Sequence, residues 1–152
     1  MTDTGVTIGA AEDNGPDIFA EFNAQNIVTN TTKEESLIGS IVPDSMHRKS
    51  RVLLEINDRI AFFAWMESPN VKDYFSSLKE ALRASFSSDL RDLVDETQER
   101  PGKPVRNVLS FIDPAIHEDR LLFVRARERL YEFHVVPGKE AQVQALMDAL
   151  TE

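Results

Sequence analysis

Two apolar runs close together form the strongest pattern of hydrophobic and polar positions in the chain. Residues 52–56 are aliphatic apart from one glutamate, and residues 60–66 are entirely apolar. Asn57 and Asp58 lie between the runs and favour a turn, because both side chains tolerate a positive φ. The pattern predicts a β-hairpin, and a two-residue turn at Asn57-Asp58 would place Val52 opposite Phe63.

The second strand of this hairpin is apolar on both of its faces. One face carries Ala61, Phe63 and Trp65, and apolar residues between them fill the other. A strand that is covered on one side alternates between apolar and polar residues, whereas a strand covered on both sides does not. We therefore expect residues 60–66 to form a central strand between two core layers. The alternative is that their outer face contacts another subunit.

Helical periodicity follows the hairpin and returns at the C-terminus. Ser68-Pro69 is typical of a helix start, and apolar residues recur at helical spacing over residues 71–86. The same spacing continues beyond this segment with Leu90, Leu93 and Val94. We predict one long central helix with a break near Ser87. A C-terminal helix is predicted from the stripe of Val143, Leu146, Met147 and Leu150.

Three further strands are predicted between these helices, at residues 105–112, 120–126 and 129–136. The last two form a second hairpin around Arg127-Glu128. Its alternation places on one core face Leu122, Val124, Tyr131, Phe133 and Val135. The other face of the hairpin then carries Leu121, Phe123, Arg125, Leu130, Glu132 and His134.

The N-terminal region is polar and poor in apolar residues. Residues 1–16 cannot bury enough apolar surface to order themselves, while Ile18, Phe19 and Phe22 could anchor the segment on a folded surface. Thr32 and Glu35 match a capping box, which predicts a short helix over residues 33–39, and Ile41-Val42 could begin a strand.

Taken together, these patterns predict an α+β fold. Its sheet has about five strands, is mostly antiparallel, and is built from two hairpins. A long central helix and a C-terminal helix pack on the sheet. Residues 1–23 form a polar N-terminal arm, and residues 24–152 form a single α+β domain.

Composition and charge narrow the class of protein. The chain has 152 residues, 41% of them hydrophobic, and has neither cysteine nor an apolar run long enough for a membrane span. No signal peptide is visible, so we expect a cytoplasmic protein or a virion component. The net charge is −9, and residues 1–32 contain five acids and no Lys or Arg. This charge disfavours general nucleic-acid binding, which depends on neutralising phosphates.

The candidate chemistry is sparse. His47, His117 and His134 do not have metal-ligand spacing, and no glycine-rich phosphate loop or nucleophile elbow is present. We therefore predict no catalytic, cofactor-binding or metal-binding residue. Residues 117–119 could hold a cation, although a solvated loop is the simpler interpretation. Glu132 and His134 share a strand face, where we expect a cross-strand polar ladder.

The arginines are the most informative charges. We predict partner binding by the arginines of the second hairpin, together with the three apolar residues at the base of the arm: Arg120, Arg125, Arg127, Arg129, Ile18, Phe19 and Phe22. Arginine forms bidentate contacts with carboxylates and phosphates and is favoured at interfaces. These side chains could receive the acidic arm of a neighbouring molecule or a nucleic-acid backbone. They could also simply keep the hairpin soluble.

These observations favour a non-enzymatic subunit for protein–protein interaction or assembly. Its partners would be proteins, in a homo-oligomer or a larger complex such as a virion or another structural assembly. The alternatives are a nucleic-acid-associated regulator that uses the arginine-rich hairpin and an enzyme whose residues converge only in space. The predicted element order resembles that of roadblock/longin-like modules, which are small domains that dimerise and dock partners. That resemblance implies an interaction role.

Overall fold

The structure is a computed structural model that describes residues 25–29, 37, 48–55 and 58–152, with side chains described at Leu37 and from Ile60 onward. Its elements in chain order are β1 (Gln25–Thr29), β2 (Arg48–Glu55), β3 (Asp58–Glu67), α1 (Val71–Ser85), β4 (Arg91–Gln98), β5 (Arg106–Ile112), β6 (Arg120–Ala126), β7 (Arg129–Val135) and α2 (Glu140–Leu150). The strands form one antiparallel sheet in the order β1-β2-β3-β7-β6-β5-β4. The predicted α+β class is confirmed.

The two predicted hairpins are both present. In the second hairpin Ala126 pairs with Arg129, so Arg127 and Glu128 form the turn, and Arg127 adopts a positive φ of 54°. In the first hairpin the predicted turn and register are wrong, because Asp58 belongs to β3 and pairs with Glu55, and Val52 pairs with Phe62. The pairing shifts between Leu53 and Leu54. Such a bulge inserts an extra residue in one strand and changes the register beyond it.

Both faces of β3 lie in a core, which confirms the favoured interpretation of the doubly apolar strand. The α2-side core joins Phe63 and Trp65 of β3 to Val143, Leu146 and Met147 of α2. The α1-side core joins Met66 of β3 to residues of α1 and of the central strands, namely Val71, Phe75, Leu78, Leu82, Leu109, Phe111, Leu121, Phe123 and Leu130. The two helices therefore cover opposite faces of the sheet.

The predicted long central helix is wrong in its second half. The helix α1 ends at Ser85, and residues 91–98 form the strand β4 against β5. The carboxylate of Asp113 accepts hydrogen bonds from the backbone N–H of Ser87 at 2.8 Å and from its hydroxyl at 2.5 Å. These bonds hold the chain away from a helical path just before β4. Tertiary pairing with β5 therefore overrides the local helical spacing.

Several predicted elements of the N-terminal region lie outside the described residues. They are the apolar segment with Ile18, Phe19 and Phe22, the short helix at 33–39 apart from Leu37, and the strand at Ile41-Val42. The strand β1 was not predicted, and it pairs with β2. In the described part of the chain, neither helix has the length and apolar character needed to cross a membrane.

Candidate functional site

The strand β4 forms one of the two edges of the sheet. β4 is the last strand in the sheet order, and its single pairing within the described residues is with β5. In an antiparallel edge strand, every second residue directs its N–H and C=O groups away from the neighbouring strand. Such an edge is a template for pairing with another extended chain.

Apolar exposure is concentrated at the same edge. Within the described part of the chain, the large hydrophobic side chains that are exposed are Leu93 at 38%, Val94 at 37% and Val105 at 45%. Two of these residues lie on β4, and Val105 immediately precedes β5. Single exposed apolar residues are common on protein surfaces, but Leu93 and Val94 are consecutive residues of an edge strand.

A groove of about 480 Å³ lies beside β4 on the α2 side of the sheet. Val94, Glu96 and Gln98 form one wall, since they pair with residues of β5 that face α2. The apolar part of the groove is formed by Val108, Leu122, Val135, Val143 and Met147. The helix α2 packs on the β3 and β7 part of this face, and the groove lies between α2 and β4.

On the α1 side, ion pairs fix β4 in place. The carboxylate of Asp95 contacts Lys79 Nζ at 3.3 Å and also forms an ion pair with Arg83. Burial raises the pKa of Asp95, but the hydrogen bonds and charges of Arg83 and Lys79 outweigh it, so the pKa lies below its usual value. The strand is therefore exposed but held firmly against α1.

Arg120 lies at one end of the groove. Its guanidinium contacts Asp92 Oδ2 at 3.2 Å and donates to Ser110 Oγ at 3.3 Å. Asp92 adopts a φ of 54°, where the pairing between β4 and β5 shifts. Arg120 thus stabilises an irregular part of β4, and its charge is largely matched by Asp92.

Two arginines support the C-terminus of α2 at the opposite end. Arg106 is buried and donates to Asp148 Oδ1 at 2.9 Å and Thr151 Oγ1 at 3.0 Å. Arg100 donates to the carbonyl oxygen of Thr151 at 2.7 Å. The last turn of α2 contains no basic residue of its own, so these two cations complement its dipole. Burial, and next the charge of Arg106, lowers the pKa of Arg100.

The other arginines of the second hairpin have different environments. Arg125 is buried and donates to Asn107 Oδ1 at 2.7 Å and to the carbonyl oxygen of Arg127 at 3.0 Å. Arg129 lies over the ring of Trp65 at 5.1 Å and contacts Glu67 at 3.8 Å. The side chain of Arg127 is exposed at the turn. The structure therefore distributes these predicted partner-binding residues over both faces and both ends of the hairpin.

A buried polar cluster lies on the α1 side, away from the groove. His134 Nε2 and Glu132 Oε2 form a hydrogen bond of 2.5 Å, and both side chains are fully buried. Glu132 also accepts the backbone N–H of Leu37 at 2.9 Å, which ties Leu37 to the sheet. The rings of His117 and His134 lie 4.4 Å apart. The predicted Glu132 and His134 ladder therefore becomes a direct contact within one strand, extended by His117.

The imidazole ring of His117 is in its neutral form. Its Nδ1 atom accepts the backbone N–H of Asp119 at 2.9 Å, which requires an unprotonated nitrogen. Burial, and next the nearby His134, lowers the pKa of His117 below its ordinary value. Among the residues that the structure describes, no group of His, Asp and Glu side chains is arranged to hold a metal ion.

The sequence pattern missed the β4 surface because it assigned these residues to a helix. A weak signal was nevertheless present: Pro101 and Gly102 separate residues 91–98 from the strand at 105–112, which is the arrangement of a hairpin. Comparisons of the chain with models of protein families, with curated proteins and with solved structures find no match. The resemblance to roadblock/longin-like modules therefore rests on element order alone.

Proposed function

We propose that this chain is a non-enzymatic protein–protein interaction and assembly subunit that docks its partner along β4. An extended segment of the partner adds to the sheet as a further strand. The observation that carries this proposal is the coincidence of an open strand edge with the exposed side chains of Leu93 and Val94. Main-chain hydrogen bonds would supply affinity, and side-chain contacts in the groove would supply specificity.

The environment of β4 supports this mode of binding. The pairing with β5 and the ion pairs of Asp95 with α1 and of Asp92 with Arg120 hold β4 in an extended conformation that an added strand could pair with. The groove borders the α2 face of β4, so side chains on that face of an added strand would lie next to it.

The distribution of arginines favours a protein partner over a nucleic acid. Arg120 and Arg129 contact Asp92 and Glu67, and Arg125 is buried against Asn107. A phosphate backbone is best received by a continuous stripe of exposed cations, whereas these three arginines are engaged within the fold.

The direct test uses a neutral peptide of eight residues with alternating Thr and Val. Amide hydrogen exchange and NMR chemical shifts of the full chain are followed as the peptide is added. We expect the outward-directed amides of β4 to exchange more slowly, with shifts centred on β4 and β5. Two control peptides are each N-methylated on one alternate set of amides. Their affinities for the chain should differ, because only one set of amides faces β4 in an added strand.

Protein variants provide a second control. Leu93→Lys combined with Val94→Lys should prevent binding, because a lysine-bearing edge resists strand pairing. Ala84→Lys, an exposed change on α1, should leave binding unchanged. Binding away from β4 would overturn the proposal. So would protection of the outward-directed amides of β4 in the dilute free chain, because the edge would then be occupied by the chain itself.

A further inference from the structure

Two carboxylates border the groove from opposite sides. Glu96 lies on β4, and Glu140 lies in the first turn of α2. Glu96 accepts a hydrogen bond from the side-chain amide of Gln98, and Glu140 accepts one from the backbone N–H of Gly138. Both donors are neutral. Within the described residues, neither carboxylate forms an ion pair, whereas Arg120 in the same groove is matched by Asp92.

The position of Glu96 relative to Val94 defines a pattern for a partner. These two residues lie two apart on one strand and face the same side of the sheet. A strand added at the outer edge would place two of its own side chains directly beside them, also two residues apart. An apolar side chain beside Val94 would enter the groove, and a basic side chain beside Glu96 would meet its carboxylate and approach Glu140.

The opposite face of β4 does not require a charged side chain on the partner. Asp95 is already neutralised by Lys79 and Arg83 of α1, and the adjacent residue on that face is the neutral Thr97. A partner strand therefore needs a charge on only one of its faces. Because the two faces of β4 differ in this way, the partner strand would bind with its charged face on the α2 side of the sheet.

Charge also disfavours two occupants that the chain itself could provide. Antiparallel pairing of β4 with β4 of a second copy would bring a second Glu96, which forms no ion pair within the described residues, to the same edge. The N-terminal segment of residues 1–32 has five acids and no Lys or Arg, so it lacks the basic side chain that Glu96 would pair with.

We infer that the partner segment is an extended strand with the pattern apolar–any residue–Lys or Arg, whose apolar side chain enters the groove beside Val94 and whose cation lies between Glu96 and Glu140. This inference rests on the proposed function and specifies the chemistry of the partner. It identifies a basic segment of another protein as the occupant of the β4 edge.

The test compares three peptides that differ at one position. Each has the sequence Thr-Val-Thr-X-Thr-Val-Thr-Val, where X is Lys, Gln or Glu. We expect dissociation constants to increase in the order Lys, Gln, Glu, with steps of about threefold, as is typical of exposed ion pairs. The preference for Lys should weaken at high salt, because exposed charges are screened.

Charge-changing substitutions on the protein test whether Glu96 and Glu140 are the residues that contact the cation of the partner. Glu96→Lys should reverse the order so that the Glu peptide binds most tightly, and Glu140→Gln should reduce the preference for Lys without reversing it. Glu80→Gln, an exposed change on α1, is the matched control and should leave the order unchanged.

The outcomes separate the two proposals. If the three peptides bind equally and still protect the amides of β4, strand addition stands and the inferred basic pattern is wrong. Tighter binding of the Glu peptide to the native chain would likewise overturn the basic pattern. If no peptide protects β4, the proposed function itself fails.

Discussion

His134 and Glu132 form a hydrogen-bonded pair on β7 in which both side chains are fully buried. The pair lies under Phe62 of β3, whose ring is 4.7 Å from that of His134. Removing two polar groups from water carries a large desolvation cost, which their mutual interaction and further hydrogen bonds must offset. The backbone N–H of Leu37 supplies one of these further bonds.

Breaking this pair from one side should be strongly destabilising. We expect Glu132→Leu or His134→Leu to lower the free energy of unfolding by about 3–5 kcal/mol, since each removes the hydrogen bond between the two buried side chains. The double variant should lose clearly less than the sum, because that hydrogen bond is lost only once, although Glu132→Leu and the double variant both also lose the bond from the Leu37 N–H. Urea denaturation of the four proteins at pH 7 measures this coupling. If the losses of the two single variants sum to the loss of the double variant within about 0.5 kcal/mol, the predicted interaction between the two side chains is wrong.

The pKa of His117 predicts a dependence of stability on pH. Because its pKa in the folded chain lies below the ordinary value of 6.5, the unfolded chain takes up a proton first as the pH falls. The associated stability is complete above about pH 6.5 and is lost as the pH falls towards the lower folded pKa. His117→Gln should remove this part of the pH dependence between pH 7.5 and 5. Identical slopes for the native chain and the variant would show that His117 is not responsible.

Phe63 tests the α2-side core. Its side chain is fully buried, and its ring lies 5.0 Å from that of Phe133 and 6.1 Å from that of Tyr131. Phe63→Ala should therefore lower the free energy of unfolding by about 3–5 kcal/mol, as expected for a cavity left by a buried aromatic residue. Chemical denaturation provides the value, and a loss below about 1 kcal/mol would mean that this face is not packed as described.

Arg125 and Arg127 form a matched pair for testing the second hairpin. Arg125→Glu should destabilise the chain by about 3–5 kcal/mol, because it buries an acid where a hydrogen-bonded cation lay. Arg127→Glu should change stability by less than about 0.5 kcal/mol, because the side chain is exposed. Thermal melts of the two variants distinguish these expectations. Equal effects would mean that the two arginines share one environment.

The second hairpin shows how much of this fold can be predicted from the sequence. Alternation with a period of two assigned Tyr131 and Phe133 to one face and Leu130 to the other, and the structure confirms both assignments. Its register follows from the two-residue turn at Arg127-Glu128. Such local rules suffice where the turn and both strands are adjacent in sequence.

The β4 edge could not be predicted in the same way. Leu90, Leu93 and Val94 fit helical spacing, and no local signal strong enough to oppose it is present. The choice of strand depends on pairing with β5 and on the bonds between Asp113 and Ser87, which are 26 residues apart. The candidate site was missed for this reason.

By itself, the sequence determined the α+β class, the two hairpins, the C-terminal helix and the burial of β3 on both faces. These features follow from periodicity and turn chemistry, which act over a few residues. Only the tertiary structure decided that α1 and α2 cover opposite faces, that β4 is an edge strand, and that Arg125 is buried while Arg127 is exposed. Each of these depends on contacts between distant segments, whose free energy exceeds the small local preferences that a sequence pattern records.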